Sequence, residues 1–240
     1  VKQVLDYFQI MLIGILTFIA AAIGVILLPL GKGKALYLAS QIWSRALIFI
    51  CQTNLKVVEY HKTNWAIPRI IVSNHASNLD IPVLFLALPI PLFFVAKKEL
   101  KNIPFMGWYM QLVGMIFIDR QNREKAVESM KKASIEIKNG KNIISFPEGT
   151  RSLDGKLAQF KKGSFVIALE HNIEILPVAL LGTQNGIPPR KFEINPANVE
   201  VHIGEAISPQ STGIRNAEEL AEFTRKKIQL LMDANSSRIE

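Results

Sequence analysis

The chain has a single cysteine, Cys51, in 240 residues. One thiol excludes an intramolecular disulfide and gives no support to a thiolate metal cluster. Cys51 reads instead as a small buried apolar residue. Histidine is also scarce, with four in all, and the spacing of His61, His171 and His202 does not resemble a zinc site. There is no Gly-rich phosphate loop and no dinucleotide fingerprint, which argues against nucleotide chemistry. No G-x-S-x-G elbow is present, so a serine acyl-enzyme has no candidate nucleophile. The basic residues are scattered, without the interleaved aromatics of a nucleic-acid surface. Repeats and low-complexity tracts are absent.

Charge is missing altogether from Tyr7 to Leu30, and the stretch from Ile10 to Leu30 is almost continuously apolar. As a helix it would be about 31 Å long, close to the thickness of bilayer hydrocarbon. A signal peptide is the competing reading, since Ala20–Ala22 imitate a cleavage site, but the apolar run continues past them. Lys32, Lys34 and Arg45 follow the segment whereas only Lys2 precedes it. A true span would therefore leave the remaining chain in the cytoplasm. A second helix is predicted from Ala35 to Cys51, with Leu36, Ala39, Trp43, Leu47 and Ile50 on its apolar side, suited either to a membrane interface or to covering the core of the following domain. Joined at Gly31–Lys34, the two helices form either a monotopic docking element or a single span with a companion.

What the chain has is enough apolar residue, 49 % of the total, to build one α/β domain and an appendage. Its formal net charge of +8 favours anionic partners such as lipid headgroups or an acidic carrier protein. After residue 54 the pattern turns to short apolar runs alternating with helices. Strands are predicted at Leu55–Tyr60, Arg69–Ser73, Leu92–Ala96, Met115–Ile118, Asn142–Phe146, Glu174–Leu180 and Val199–Ile203. Helices are predicted at Leu79–Leu88, Pro104–Val113, Arg123–Asn139, Phe160–His171 and Asn216–Ala234. This alternation defines an α/β fold with a mostly parallel or mixed central sheet flanked by helices. The chain divides into a hydrophobic two-helix element, 1–54, and a domain, 55–240.

Two heptapeptides concentrate the chemistry. In Asn74-His75-Ala76-Ser77-Asn78-Leu79-Asp80, a histidine sits on the turn between a strand and a helix that carries a carboxylate in its first turn. Along one continuous helix these two side chains would diverge. With the loop folded back, Asp80 can accept from one imidazole nitrogen and leave the other free to take a proton. Ser77 or Asn78 is then a helix cap. In Phe146-Pro147-Glu148-Gly149-Thr150-Arg151-Ser152, Gly149 permits close backbone approach to a ligand and Arg151 offers a fork to a phosphate. Glu148 is expected to orient Arg151 or a ligand hydroxyl. Arg120, and Lys97 with Lys98, follow other strands and are further phosphate candidates if those strand ends share one edge of the sheet.

The ensemble resembles the glycerolipid acyltransferase family, and within it the bacterial 1-acylglycerol-3-phosphate acyltransferases of the PlsC type. The family's N-H-x-S-x-x-D motif matches Asn74, His75, Ser77 and Asp80. Its second motif matches Gly114, Ile116–Ile118, Asp119 and Arg120. Its F-P-E-G-T-R-S motif matches Phe146–Ser152 throughout, and Ile175–Ala179 resembles the fourth. The resemblance implies a membrane-bound acyltransferase at the cytoplasmic face of the cell membrane, docked on the bilayer through residues 1–52, with 55–240 as the acyltransferase domain. It implies that His75, oriented by Asp80, deprotonates the sn-2 hydroxyl of lysophosphatidic acid, which then attacks an acyl-CoA or acyl carrier protein thioester. Phosphatidic acid results, with no cofactor and no metal. Arg120 and Arg151, with Glu148, Gly149 and Thr150 in the turn and Lys97 assisting, would hold the substrate phosphate. Other lysophospholipids or glycerol 3-phosphate are the alternative acceptors, although glycerol-3-phosphate acyltransferases usually vary the Pro-Glu-Gly-Thr stretch. A non-catalytic lipid-binding protein is the alternative from another class.

Overall fold

The computed structural model describes residues 2–119 and 123–234. The chain begins with two helices, α1 (Lys2–Ile26) and α2 (Lys32–Ile50), joined by a tight turn at Leu28–Leu30. Strands and helices then follow as β1 (Thr53–Glu59), β2 (Ile70–Ser73), α3 (Asp80–Ala87), β3 (Leu92–Lys97), α4 (Met106–Val113), β4 (Ile116–Ile118) and α5 (Arg123–Lys138). The remainder is β5 (Asn142–Ser145), α6 (Gly163–His171), β6 (Ile175–Leu181), α7 (Thr183–Gly186), β7 (Ala197–Ile203), α8 (Pro209–Thr212) and α9 (Ala217–Asp233). All seven expected strands are present. The short helices α7 and α8 escape a sequence reading because four residues carry no periodicity.

The strands form one mixed sheet in the order β1-β7-β6-β2-β5-β3-β4. Five neighbours, β6, β2, β5, β3 and β4, run parallel, while β7 pairs antiparallel with β6 and β1 runs with β7. Helices cover both faces of the parallel strands, so β2 is buried at every residue and β6 at all but its last. Moving each of Ile70, Ile71 and Val72 from water into this core contributes about 1.5–3 kcal/mol. The topology has one functional consequence. The carboxyl ends of β2, β5, β3 and β4 lie side by side along one edge, where ligands collect in open α/β sheets.

Helix α1 starts earlier than its apolar stretch because the charged residues at its amino end are satisfied by the domain. The buried Asp6 carboxylate accepts from the Ile194 N–H at 3.2 Å, and the Lys2 ammonium donates to Asn195 Oδ1 at 2.5 Å. By length and composition α1 could cross a membrane. Its apolar side chains remain largely uncovered, with Val4 73 % and Ile26 75 % exposed. α2 buries Leu36, Ala39 and Leu47 and leaves Ile42 and Phe49 outside. Leu36 joins the core of the sheet domain, so the second helix belongs to that packing unit as well as to α1. α6 begins three residues later than its pattern, since the Lys161 N–H is taken by the Pro147 carbonyl at 2.9 Å.

Candidate active site

β2 ends at Ser73, and the residue after it sets the course of the chain. The Asn74 amide donates to the Leu180 carbonyl and accepts from the Leu180 N–H, both at 2.8 Å. A side chain thus imitates a strand backbone and extends the β2–β6 pairing by one rung. Sequence reasoning took Asn74 only as part of a motif; its role is visible only once β6 is placed beside β2.

The loop does fold back. Asp80, fully buried, accepts through Oδ2 from the Ala76 N–H at 2.8 Å, the Ser77 N–H at 2.9 Å and His75 Nδ1 at 2.6 Å. Two backbone donors on that oxygen mark it as an acceptor, so Nδ1 carries the ring proton and Nε2 presents its lone pair. The imidazole stacks on Phe146 with centroids 4.2 Å apart, which fixes its plane. No hydrogen bond engages Nε2 among the described residues. Ser77 Oγ accepts from the Leu79 N–H at 3.0 Å, as a cap would, and donates to the Ile187 carbonyl at 2.7 Å. Asn78 does something else: its Oδ1 accepts from Arg151 Nη1 at 2.8 Å.

The second heptapeptide follows β5. Gly149 has φ +78°, and a Cβ there would lie 2.7 Å from the Lys161 ammonium. The glycine therefore serves both the turn and the close approach of a cation that sequence reasoning missed. Of the two roles expected of Glu148, the structure does not show the one on Arg151. Rather than orienting Arg151, its buried carboxylate accepts from the His75 N–H at 2.8 Å and the Ala158 N–H at 3.1 Å. It ties the His75 loop to the segment after Arg151, and the Ser152 N–H adds a bond to the His75 carbonyl at 2.8 Å. Burial pushes the Glu148 carboxyl above its ordinary value, and the two backbone donors offset this only in part.

A cavity of about 710 Å³ opens beside His75. Arg151, Thr150, Gly149 and Lys97 line its polar end, joined by Arg190, which lay outside the expected set. Arg190 is exposed and holds φ +62°, a strained conformation for a non-glycine residue. Lys98 is spent on Asp119, at 2.7 Å. Arg120 lies outside the described residues. The other end of the cavity is apolar, built from Ala20 and Ala21 of α1, Ala39 and Trp43 of α2, Phe85 of α3 and Met106 and Tyr109 of α4. Small residues on α1 and α2 leave the space, and Gly24 lets α1 close against the Tyr109 ring. His202 stands apart from this site, buried between Tyr60 and Glu200. No group of three His, Cys, Asp or Glu side chains suited to a metal ion occurs among the described residues.

A histidine held by a buried carboxylate, lining a cavity that also holds cations and apolar side chains, can activate a hydroxyl on a molecule with an anionic and an apolar part. The acyltransferase family model matches residues 53–181, more than half of the chain, and the chain belongs to that family. A 1-acyl-sn-glycerol-3-phosphate acyltransferase of Chlamydomonas reinhardtii is 36% identical over 162 residues, covering 67% of this chain and 47% of the relative. One from Saccharomyces cerevisiae is 36% identical over 169 residues, 69% of this chain and 55% of the relative. The chain thus spans about half the length of these curated relatives. The crystal structure of the 1-acyl-sn-glycerophosphate (LPA) acyltransferase PlsC from Thermotoga maritima superimposes with a TM-score of 0.81 at 26% identity. That match covers 98% of this chain and 96% of the other.

Proposed function

We propose that the protein transfers an acyl chain from an acyl thioester to the sn-2 hydroxyl of lysophosphatidic acid, giving phosphatidic acid. The observation that carries this reading is the position of His75: it lines a cavity whose walls also hold cations and apolar helices, while Nδ1 is taken by Asp80 and Nε2 has no hydrogen bond among the described residues. The substrate phosphate sits against Arg151 and Lys97, and Arg120, next but one after Ile118 in the sequence, is kept as a further phosphate candidate. The acyl chains occupy the space between α1, α2 and α4.

Nε2 takes the proton of the sn-2 hydroxyl as its oxygen attacks the thioester carbonyl. The tetrahedral intermediate collapses with loss of the thiolate, which recovers the proton from the imidazolium and leaves as a thiol. The ester C–O bond forms, the C–S bond breaks, and no covalent enzyme intermediate is needed. The Asp80 carboxylate stabilises the imidazolium between these steps. Acyl-CoA and acyl carrier protein are both acidic donors suited to the basic surface. The exposed apolar face of α1 docks on the cytoplasmic face of the membrane.

The test is a labelled acyl thioester, presented as CoA or carrier-protein conjugate, with lysophosphatidic acid, glycerol 3-phosphate or lysophosphatidylcholine as separate acceptors. Label should enter phosphatidic acid, and His75→Ala should lower turnover by about 10²–10⁴-fold. Transfer chiefly to another acceptor replaces the substrate. Transfer undiminished in the variant removes His75 as the base.

A further inference from the structure

Helix α4 is apolar on both of its sides. Inward, Met106, Tyr109 and Met110 line the cavity and Val113 is fully buried. Outward, Trp108 and Leu112, one helical turn apart, are 54% and 47% exposed. Phe105, just before the helix, is 51% exposed and its ring meets Trp108 at 5.1 Å. No residue of α4 is charged, and its one amide, Gln111, folds back onto the Lys101 and Gly107 carbonyls. A helix at the water-facing surface of a domain carries polar residues on its outer side, whereas one apolar all round is covered on both.

The covering phase can be read from the neighbours of α4. Phe105 meets Phe18 of α1 edge-on, with centroids 4.5 Å apart, and Phe18 is itself half exposed. The uncovered apolar face of α1 therefore runs without a break onto α4. Beside the patch, Lys97, Lys98 and Lys101 are all exposed. An aromatic and aliphatic face bordered by lysines matches the boundary between acyl chains and anionic headgroups. The backbone also holds Phe105 outward at a cost. Its φ of +61° and ψ of −59°, with the Met106 N–H bonded to the Pro104 carbonyl at 2.7 Å, form a γ-turn that non-glycine residues rarely adopt.

We propose that α4 is a third membrane-docking element, whose Phe105–Trp108–Leu112 face enters an anionic bilayer beside α1. The inner face of the same helix then forms the lipid-side wall of the reaction cavity. The inference rests on the reading of α1 as docked on the bilayer, and labels on the two helices separate them.

Single cysteines at Leu112, at Ile15 of α1 and at Gln210 would carry an environment-sensitive fluorophore. Gln210 lies on α8, beside the Ile175–Ile207 pairing at the sheet edge opposite His75. Cys51 does not compete, since it is buried and its thiol is pushed up to about 11. Full-length protein would be mixed with phosphatidylcholine–phosphatidylglycerol vesicles, with and without bromine in the acyl chains. The labels at Leu112 and Ile15 should shift to the blue and be quenched by bromine, and that at Gln210 should not. Quenching at Ile15 but not at Leu112 overturns the proposal and leaves α1 docking alone; quenching at neither overturns both. A shift at Leu112 that grows with protein concentration and ignores bromine assigns the face to a second copy of the chain, and also overturns it. As a second readout, Trp108→Ser should weaken vesicle binding by about tenfold. Its turnover of a short-chain lysophosphatidate, dispersed as monomers, should stay unchanged; an equal loss there would place Trp108 in the structural core.

Discussion

Replacing Glu148 by glutamine distinguishes a substrate ligand from a brace. Both carboxylate oxygens accept backbone N–H groups, from His75 and Ala158. Glutamine has one acceptor oxygen, so its amide group must meet one of these donors with hydrogens of its own. A buried N–H left without an acceptor costs about 1–3 kcal/mol, and Glu148→Gln should be less stable by that order in urea unfolding. If the donor released is the His75 N–H, the imidazole loses an anchor of the loop that positions it. A displacement of about 1 Å there costs on the order of 10²-fold in turnover, with little change in the KM for lysophosphatidate. The pH dependence has a definite sign. The folded carboxyl titrates above its ordinary 4.5, so the folded protein holds a proton that the unfolded chain has released. Between 4.5 and the raised value, wild-type stability therefore falls as pH rises, by at most about 1.4 kcal/mol per pH unit. Glu148→Gln lacks this slope, so the stability gap between the two proteins narrows across that window and is constant above it. A variant with wild-type stability and a raised KM for lysophosphatidate alone would refute the brace and restore Glu148 to the substrate.

Asp80→Asn can keep its oxygen on the Ala76 and Ser77 N–H groups but loses the charge facing the imidazolium. At about 4 Å and an effective dielectric of about 20 that charge is worth roughly 4 kcal/mol, so kcat should fall by about 10²–10³-fold; loss of less than about tenfold would show that Asp80 only orients the ring. Arg151→Ala should raise the KM for lysophosphatidate more than that for the acyl donor, and Asn78→Ala, which frees the guanidinium, should do the same more weakly. Equal effects on both substrates would make Arg151 structural. Ala39→Phe fills the apolar end of the cavity and should shift preference toward shorter acyl chains. An unchanged chain-length profile in a protein that melts normally would place the acyl chain elsewhere.

Patterns local in sequence were legible. The strands β2 and β5 announce themselves as β-branched runs and β6 as a short apolar run, and the motif around His75 shows a base and a carboxylate because both lie on one turn. Two kinds of information were not available. The first is pairing between distant segments: Glu148 reads as a partner for its neighbour Arg151 until β5 is set beside β2, which brings the His75 N–H within its reach. Asn74 and Leu180, 106 residues apart, present the same difficulty. The second is backbone conformation without a glycine to mark it. Phe105 and Arg190 both hold positive φ and nothing in their side chains signals it. The Pro104–Val113 pattern accordingly suggests a helix that starts too early.

The segment from 186 to 195 links the apolar helix to the loop that carries His75. At one end the Ile187 carbonyl accepts from Ser77 Oγ, within the loop that holds His75. At the other, Ile194 donates its N–H to Asp6 and Asn195 receives the Lys2 ammonium, while the Asn195 N–H closes the segment on the Gly186 carbonyl at 2.8 Å. Arg190 sits between these two anchors, at the mouth of the cavity. A lone apolar helix on a flexible tether would leave the depth and tilt of the domain free. Here the amino end of α1 is bonded to the same segment as the His75 loop, and its middle packs on α2 and α4. The exposed apolar face of α1 and the His75 imidazole are thereby held in one frame. On the proposed function, a lipid hydroxyl at the headgroup level then has a defined distance to reach, which is what burying Asp6 at the end of an apolar helix would secure.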